Sequence, residues 1–317
     1  MTYQLSDYSL SGGLFDANPA AAPTLEPQSD SLPERVDLRQ FCSPVEDQGR
    51  TQSCVANAVV AALELQQIKA GMAHTDLSRL FLYYNARKLL NMHQKDGGTT
   101  MLKAMAALLA YGCCEEKLWP FDPAAINREP TKACFANAAK FQAVQFARTP
   151  NGPAAMSALA EGFAVAFSLT APLPYYEIAA KTGIMPRPDQ IRTPPVIAGH
   201  AMLMVGYDKA DKTYLVRNSM GTNFGENGYF KIPFETLDVW SMPVDYWTVG
   251  SIEKVSHFKL TGPSASTVAQ AEGADLPPQE EESPAGGLDK MRSDLRSRLS
   301  SDLETSKRDF RSRLRGK

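Results

Sequence analysis

Helical apolar segments fill the first half of this 317-residue chain, and strand-like apolar runs fill the second half. Apolar residues recur at helical spacing over 54–70, 77–90 and 99–111. Short runs typical of strands occupy 163–169, 201–207, 213–218 and 228–232. Because helices and strands are segregated along the chain rather than alternating, the pattern predicts an α+β fold with two unlike lobes. A cleft between two such lobes is a common place for a functional site.

Composition divides the chain into four parts. Residues 1–35 are rich in Ala, Pro, Ser and Asp, which predicts an extended leader. Residues 36–260 contain every Trp and every Cys and form the folded body. Residues 261–287 turn to Ser, Ala, Gly, Pro and Glu, the composition of a disordered linker.

The last part, residues 288–317, carries ten Lys or Arg against five Asp or Glu, with apolar residues mostly three or four apart. This pattern predicts a basic amphipathic helix. One interpretation is a docking helix for a partner protein, for a second copy of the chain or for an anionic surface. The other is a solvated helix without a specific site, since so narrow an apolar stripe buries little area.

Charge and cysteine usage exclude several classes of protein. The formal net charge is −2, so no overall field favours nucleic acid. The longest apolar runs are far short of the roughly 20 residues that a transmembrane helix needs. The N-terminus lacks the basic start and apolar core of a secretory signal. Five cysteines are too few for a disulfide scaffold. These features predict a cytoplasmic protein, or one exported without a cleaved N-terminal signal.

Cys54 lies where the polar loop 48–53 meets the first predicted helix. The free backbone N–H groups and the positive macrodipole at a helix start favour a thiolate over a thiol. A nucleophilic cysteine also needs a base, and His200 opens a predicted strand, which is a rigid place for one. Asn218 ends the next predicted strand, so a hairpin would place its amide beside the His200 imidazole and orient that ring.

Further motifs resemble the papain-like cysteine peptidases through the whole folded body. Gln48 precedes Cys54 by six residues, as in that family, and His200 follows Cys54 by 146 residues. The other blocks that carry the resemblance are 32–39, 43–49, 97–98, 118–121, 199–201, 218–221 and 225–229. The resemblance implies a helical N-terminal lobe, an antiparallel β C-terminal lobe and an active site in the cleft between them.

The resemblance also implies the role of each site residue. Cys54 would attack the scissile carbonyl, and His200 would pair with the thiolate and protonate the leaving amine. Asn218 would orient His200, while Gln48 and the Cys54 backbone N–H would donate to the oxyanion. The substrate-binding positions that it implies are Gly97, Gly98 and Phe224.

The chain departs from the family's pattern at several positions. Thr51 and Lys95 stand where the family often has two bonded cysteines, so that disulfide is missing. Met220 and Phe224 replace two tryptophans, one over the His–Asn contact and one on the leaving-group side. Gly199 stands before His200 in place of the usual Asp or Asn, which bears on the pH dependence.

The leading functional prediction is therefore a cysteine endopeptidase with peptide or protein substrates. One alternative is an amidase or acyltransferase, because water and amines attack the same thioester. Another is a non-catalytic peptide-binding module that retains the cleft. No residue spacing suggests a metal or a phosphate-binding loop, so we expect neither a metal nor a cofactor. The position of residues 1–35 leads to the further hypothesis that this leader lies along the cleft as a short autoinhibitory strap.

Overall fold

The computed structural model describes residues 5, 8–14, 22–26, 31–143, 145–150, 152–190, 197–250 and 260–275. All of them lie in one compact unit, which ends at Leu276. The predicted helix over 288–317 lies outside the described residues and stays a prediction. No helix of the described part is both long and apolar enough to cross a bilayer.

The helices and strands follow the predicted order, with several additional short elements. The strands are β1 Gly13–Leu14, β2 Thr24–Leu25, β3 Arg35–Asp37, β4 Thr99–Thr100, β5 Gln145–Arg148, β6 Val165–Pro172, β7 Ile197–Asp208, β8 Thr213–Arg217, β9 Tyr229–Pro233, β10 Ser241–Gly250 and β11 Leu260–Thr261. The helices are α1 Cys54–Lys69, α2 Arg79–Lys88, α3 Met101–Tyr111, α4 Lys132–Ala138, α5 Gly152–Ala160, α6 Leu173–Thr182, α7 Phe234–Trp240 and α8 Ala265–Ala271.

The β lobe is one sheet in the order β11-β2-β5-β10-β6-β7-β8-β9, with β3 paired to β7. The central pairs are antiparallel, and β2 pairs parallel to β5. β7 is the strand that positions the site, because it holds His200 opposite Leu169 of β6 and leads through β8 to Asn218. The helical lobe and this sheet confirm the predicted α+β, two-lobed architecture.

α1 is the central helix of the first lobe and is apolar on nearly all sides. Fourteen of its sixteen residues are buried, because it packs against both α2 and β7. A helix surrounded in this way loses the one-sided pattern of a surface helix. Its first residue, Cys54, is thereby carried from the helical lobe to the face of the sheet.

A serine precedes each of the helices α1 and α2, but only one of the two side chains caps its helix. Ser53 occupies the cap position of α1, but its hydroxyl bonds the side chains of Thr51 and Asn57 instead of a backbone N–H. The second helix begins later than predicted. Its cap is Ser78, whose Oγ accepts from the Phe81 N–H.

The leader and the start of the predicted linker both contain ordered elements. In the leader, β1 pairs parallel to β4, and β2 lies between β5 and β11. In the predicted linker over 261–287, residues 265–271 form α8, which packs on α3. Ala269 is buried against Ala106 and Ala110 of α3, and Glu272 forms an ion pair with Lys103 at 2.9 Å. The linker prediction failed here because Ala and Ser, which look like linker composition, are small enough to pack a helix closely onto its neighbour.

A buried carboxyl on α1 makes the stability of the fold sensitive to pH. Glu64 is 3% exposed and accepts a hydrogen bond from the Leu77 N–H at 2.8 Å. Burial raises the pKa of Glu64 from 4.5 to about 7, although hydrogen bonds from Ser43 and Leu77 act in the opposite direction. Because the folded-state pKa lies above the unfolded one, the charged form disfavours folding. Its protonation therefore stabilises the fold fully below about pH 4.5, and this contribution is lost as the pH rises through 7.

We therefore expect Glu64→Gln to remove a pH-dependent loss of stability. Glutamine keeps an acceptor for Leu77 and has no charge to desolvate. Between pH 5 and pH 8 the free energy of unfolding of the wild type should fall by about 1–3 kcal/mol more than that of the variant. Denaturant unfolding at the two pH values measures the difference, and parallel profiles would contradict the assignment.

Candidate active site

His200 and Asn218 form a direct pair on neighbouring strands. His200 Nε2 lies 2.8 Å from Asn218 Oδ1. The same oxygen accepts from the Ser219 N–H at 2.8 Å, so Oδ1 is the acceptor and His200 Nε2 carries the proton. His200 Nδ1 is buried and has no hydrogen-bond partner among the described residues. In a neutral imidazole this second nitrogen is the unprotonated one, the form a general base requires.

The strand that holds His200 also contacts the cysteine. Cys54 begins α1, and its thiol is hydrogen-bonded to the backbone of Ala201, the residue after His200. The structure thus brings together three residues that the sequence predicts as a constellation, across 146 and 164 positions of chain. The ring of Tyr176 on α6 packs edge-on against the His200 ring with centroids 5.9 Å apart. Sequence reasoning missed Tyr176, which follows no motif.

Gln48 lies in the loop before Cys54 and is connected to the asparagine loop. Its Nε2 donates to the Thr51 carbonyl at 2.9 Å, and its Oε1 accepts from the Ser219 hydroxyl at 2.6 Å. The Gln48 N–H also donates to the Ser219 carbonyl at 2.8 Å. Ser219 therefore contacts both Gln48 and Asn218, and it orients the Gln48 amide so that the NH2 group faces away from Ser219.

The leader passes directly over the cysteine. The Thr99 N–H donates to the Gly12 carbonyl at 3.0 Å, and Gln48 Nε2 lies 3.4 Å from the Ser9 carbonyl. A Cβ on Gly12 would lie 2.3 Å from the Gln52 carbonyl oxygen and 2.9 Å from Cys54 Sγ, so only glycine fits there. The Tyr8 hydroxyl anchors the segment on Asp47 and on the Met220 carbonyl.

Burial sets the protonation of the pair in this arrangement. Cys54 and His200 are both fully buried. Burial raises the pKa of Cys54 to about 11, although hydrogen bonds from the backbone of Ala201, Val55, Cys54 and Gly12 lower it. Burial also lowers the pKa of His200 to about 4 against the hydrogen bond to Asn218. Near neutral pH both groups are therefore uncharged. The predicted thiolate at the helix start is wrong for this covered state, because desolvation outweighs the helix terminus.

The three predicted substrate-binding positions differ in their surroundings. Gly98 has a φ of +77°, and a Cβ there would lie 2.5 Å from the Gly12 carbonyl oxygen, so this glycine permits the close approach of the leader. A Cβ on Gly97 would instead meet the Met92 side chain. Phe224 is fully buried, and its ring packs against Phe230 at 5.2 Å. Only Gly98 of these three thus approaches the leader in the contacts described, and their roles toward substrate stay predictions.

The described residues contain no group of three or more His, Cys, Asp or Glu side chains that could hold a metal ion. All five cysteines are free thiols. The chemistry that the arrangement supports is nucleophilic attack by a thiol that an amide-oriented imidazole activates.

Comparison with known families identifies the family to which the chain belongs. The sequence profile described as "Papain family cysteine protease" matches residues 32–239, about two thirds of the chain, including Gln48, Cys54, His200 and Asn218. The chain belongs to the papain family of cysteine proteases. It is a hydrolase, and its substrates are peptides or proteins.

Individual relatives agree with this placement. The cysteine protease is 31% identical over 228 residues to an uncharacterized peptidase C1-like protein of Acanthamoeba polyphaga mimivirus, covering 68% of this chain and 72% of that one. It is 30% identical to mouse pro-cathepsin H over 213 residues, which span 63% of this chain and 60% of that protein. Among solved structures, xylellain, a cysteine protease from Xylella fastidiosa, superposes with a TM-score of 0.69 at 27% identity, covering 80% of this chain and 100% of the other.

A substitution in the leader should expose the thiol of this protease. We expect Gly12→Ala to displace the segment over Cys54, because the new Cβ overlaps the Gln52 carbonyl. Re-exposure to water lowers the pKa of Cys54 and raises the thiolate fraction at pH 7.5. Alkylation of Cys54 by iodoacetamide, followed by mass spectrometry, should be at least about tenfold faster, since one pKa unit changes the thiolate fraction tenfold.

Gly13→Ala is the matched control for this measurement. Its Cβ would lie 3.4 Å from the Ser168 hydroxyl, an ordinary contact, so the leader should stay in place. Equal alkylation rates in the wild type and both variants would show that the leader does not shield Cys54.

Proposed function

We propose that this protease is an endopeptidase that cleaves peptide bonds through an acyl-enzyme on Cys54, with His200 and Asn218 completing the catalytic triad. The observation that carries the proposal is the 2.8 Å contact between His200 Nε2 and Asn218 Oδ1, which leaves Nδ1 to act as the base. His200 takes the proton from the Cys54 thiol, and the thiolate attacks the scissile carbonyl. The leaving amine then receives that proton, and water hydrolyses the thioester.

Gln48 is proposed as a donor to the developing oxyanion. Its amide lies in the loop that leads to Cys54, and the hydrogen bond from the Ser219 hydroxyl directs the NH2 group away from Ser219, where it lies 3.4 Å from the Ser9 carbonyl of the leader. The Cys54 N–H at the start of α1 is the second donor. Donors that are held in place before the reaction stabilise the tetrahedral intermediate without reorganising.

Variants of the triad test this proposal. Cys54→Ala and His200→Ala should abolish cleavage, and Gln48→Ala should lower kcat/KM about 100- to 1,000-fold. Mass-spectrometric profiling of a peptide library reads the bonds cleaved, and all variants should carry Gly12→Ala so that the cleft is open. Cys42→Ala, which removes a half-buried thiol outside the triad, is the matched control and should keep full activity.

The products separate this proposal from its two alternatives. New free carboxyl ends support hydrolysis, whereas new amides in the presence of an added amine would indicate an acyltransferase. Retained peptide binding without labelling of Cys54 by an epoxide inhibitor would indicate a binding module.

We also propose that leader residues 8–14 inhibit the protease in the same chain. Support comes from the contacts of Tyr8, Ser9 and Gly12 with both lobes and from the burial of Cys54 beneath them. A peptide substrate and this segment cannot occupy the same volume over Cys54. Residues 22–26, in contrast, contribute a strand to the large sheet, since β2 lies between β5 and β11.

Two deletions distinguish these functions of the leader. Removing residues 1–14 should raise the initial rate on a small peptide and lower the melting temperature slightly, because Leu5 and Leu10 of this segment are buried in the core. Removing residues 1–31 should raise the rate as well, but should lower the melting temperature further because β2 is lost. Adding a synthetic peptide of residues 5–14 should restore inhibition. An unchanged rate after the shorter deletion, with Cys54 still fully reactive to an epoxide, would contradict the proposed inhibition by the leader.

A further inference from the structure

We infer that Tyr83 and Asp96 are positioning residues that hold the glycine loop, defined as residues 95–98, against the nucleophile loop, defined as residues 48–53. Their task is to keep the edge of β4 in register with Cys54, so that an extended peptide bound along β4 presents its carbonyl to the thiol. The inference rests on the proposed peptidase function and names two residues that no motif identifies.

Tyr83 connects α2 to the glycine loop. Its side chain is fully buried, and its hydroxyl donates to Asp96 Oδ1 at 2.6 Å. The same hydroxyl accepts from the Gly98 N–H at 2.9 Å. The Tyr83 hydroxyl therefore bridges the Asp96 carboxylate and the Gly98 N–H, which lie on either side of Gly97 in this tight turn.

Asp96 extends the connection to the nucleophile loop. Both of its carboxylate oxygens accept from the Gln52 N–H, at 3.1 and 3.2 Å. The Gln52 side chain returns a hydrogen bond to the Asp96 carbonyl at 3.1 Å. Gln52 stands two residues before Cys54, so these hydrogen bonds fix the position of the glycine loop relative to the nucleophile loop. Charge-assisted bonds of this kind are stronger than bonds between neutral groups.

Arg87, also on α2, fixes Tyr83 and the glycine loop from the other side. Its guanidinium lies 4.1 Å from the centroid of the Tyr83 ring and donates to the carbonyls of Lys95 and Ile126. Burial, followed by the hydrogen bond to Asp96, raises the pKa of Tyr83 well above its usual value. The hydroxyl therefore stays protonated and remains a donor to the carboxylate.

The leader shows what the edge of β4 offers to an extended chain. β1 pairs parallel to β4, and the Thr99 N–H donates to the Gly12 carbonyl at 3.0 Å. The Gly98 N–H donates to the Tyr83 hydroxyl and thereby fixes the glycine loop. The Thr99 N–H is the group that bonds to the backbone of the extended chain. Displacement of the glycine loop would then weaken binding of a peptide but leave the thiol itself as reactive as before.

Tyr83→Phe tests this division between binding and reactivity, in the full chain carrying Gly12→Ala. Phenylalanine keeps the ring over Arg87 and removes only the bridging hydroxyl. We expect inactivation by an epoxide with a peptide-like arm to slow about five- to twentyfold, as expected for one or two lost hydrogen bonds. Alkylation of Cys54 by iodoacetamide, which needs no contact with β4, should stay within about twofold. For a peptide substrate, KM should rise with little change in kcat.

Matched variants separate positioning from general damage. Tyr84→Phe removes a hydroxyl from the neighbouring position of the same helix, where the ring packs on His93, and should leave both reagents unaffected. Asp96→Ala should match or exceed the effect of Tyr83→Phe. Asp96→Asn keeps an oxygen acceptor for the Gln52 N–H and should restore most of the epoxide rate.

Three results would overturn the inference. Tyr83→Phe could behave like Tyr84→Phe with both reagents, or it could slow both reagents equally. Amide hydrogen exchange at Gly98 is a readout that needs no activity, and unchanged protection in Tyr83→Phe would also overturn it. A parent that neither cleaves peptides nor reacts at Cys54 would instead contradict the proposed peptidase, independently of how the tyrosine variants compare.

Discussion

The packing of α1 against β7 is the constraint on which the site depends. It carries Cys54, the first residue of α1, to the backbone of Ala201, next to His200. Burying the many apolar side chains of this helix against a sheet is strongly favourable, since each fully buried aliphatic side chain contributes about 1.5–3 kcal/mol. The proximity of Cys54 to this strand is thus a by-product of core packing, and the two lobes cannot separate there without exposing that core.

Hydrogen bonds between neighbouring loops fix the position of the nucleophile loop after the packing of α1 has placed Cys54. The Gln48 N–H donates to the Ser219 carbonyl and the Ser219 hydroxyl donates to the Gln48 amide oxygen, so the loop before Cys54 is bonded to the loop after β8. On the opposite side, Asp96 ties the nucleophile loop to the glycine loop. Thr51 and Lys95 stand where the family often has a disulfide. In this chain the neighbouring residues, Gln52 and Asp96, form the connection with hydrogen bonds, which need no oxidising environment.

The leader affects the protonation of the Cys54 thiol and the His200 imidazole, although the residues of the proposed triad are unchanged. By excluding water it stabilises the neutral thiol and the neutral imidazole, whereas peptide hydrolysis needs the charged pair. A short segment is sufficient because Gly12 passes within contact distance of Cys54, a path that any side chain would block. The parallel pairing of β1 with β4 holds that path in place.

Much of this protein follows from the sequence alone. The helix that starts at Cys54, the strand that holds His200 and the turn at Asn218 follow from local periodicity and from residue types that the chemistry demands. Membership of the family was implied by the resemblance of the motif blocks, and the family match confirmed it. The contacts of Tyr83, the order of α8 and the covered state of Cys54 were decided only by the tertiary structure. They depend on burial and on hydrogen bonds between segments far apart in the chain, such as Gly12 with Thr99 or α8 with α3. A pKa, in particular, depends on how much water reaches a group, and no stretch of sequence contains that information before the chain has folded.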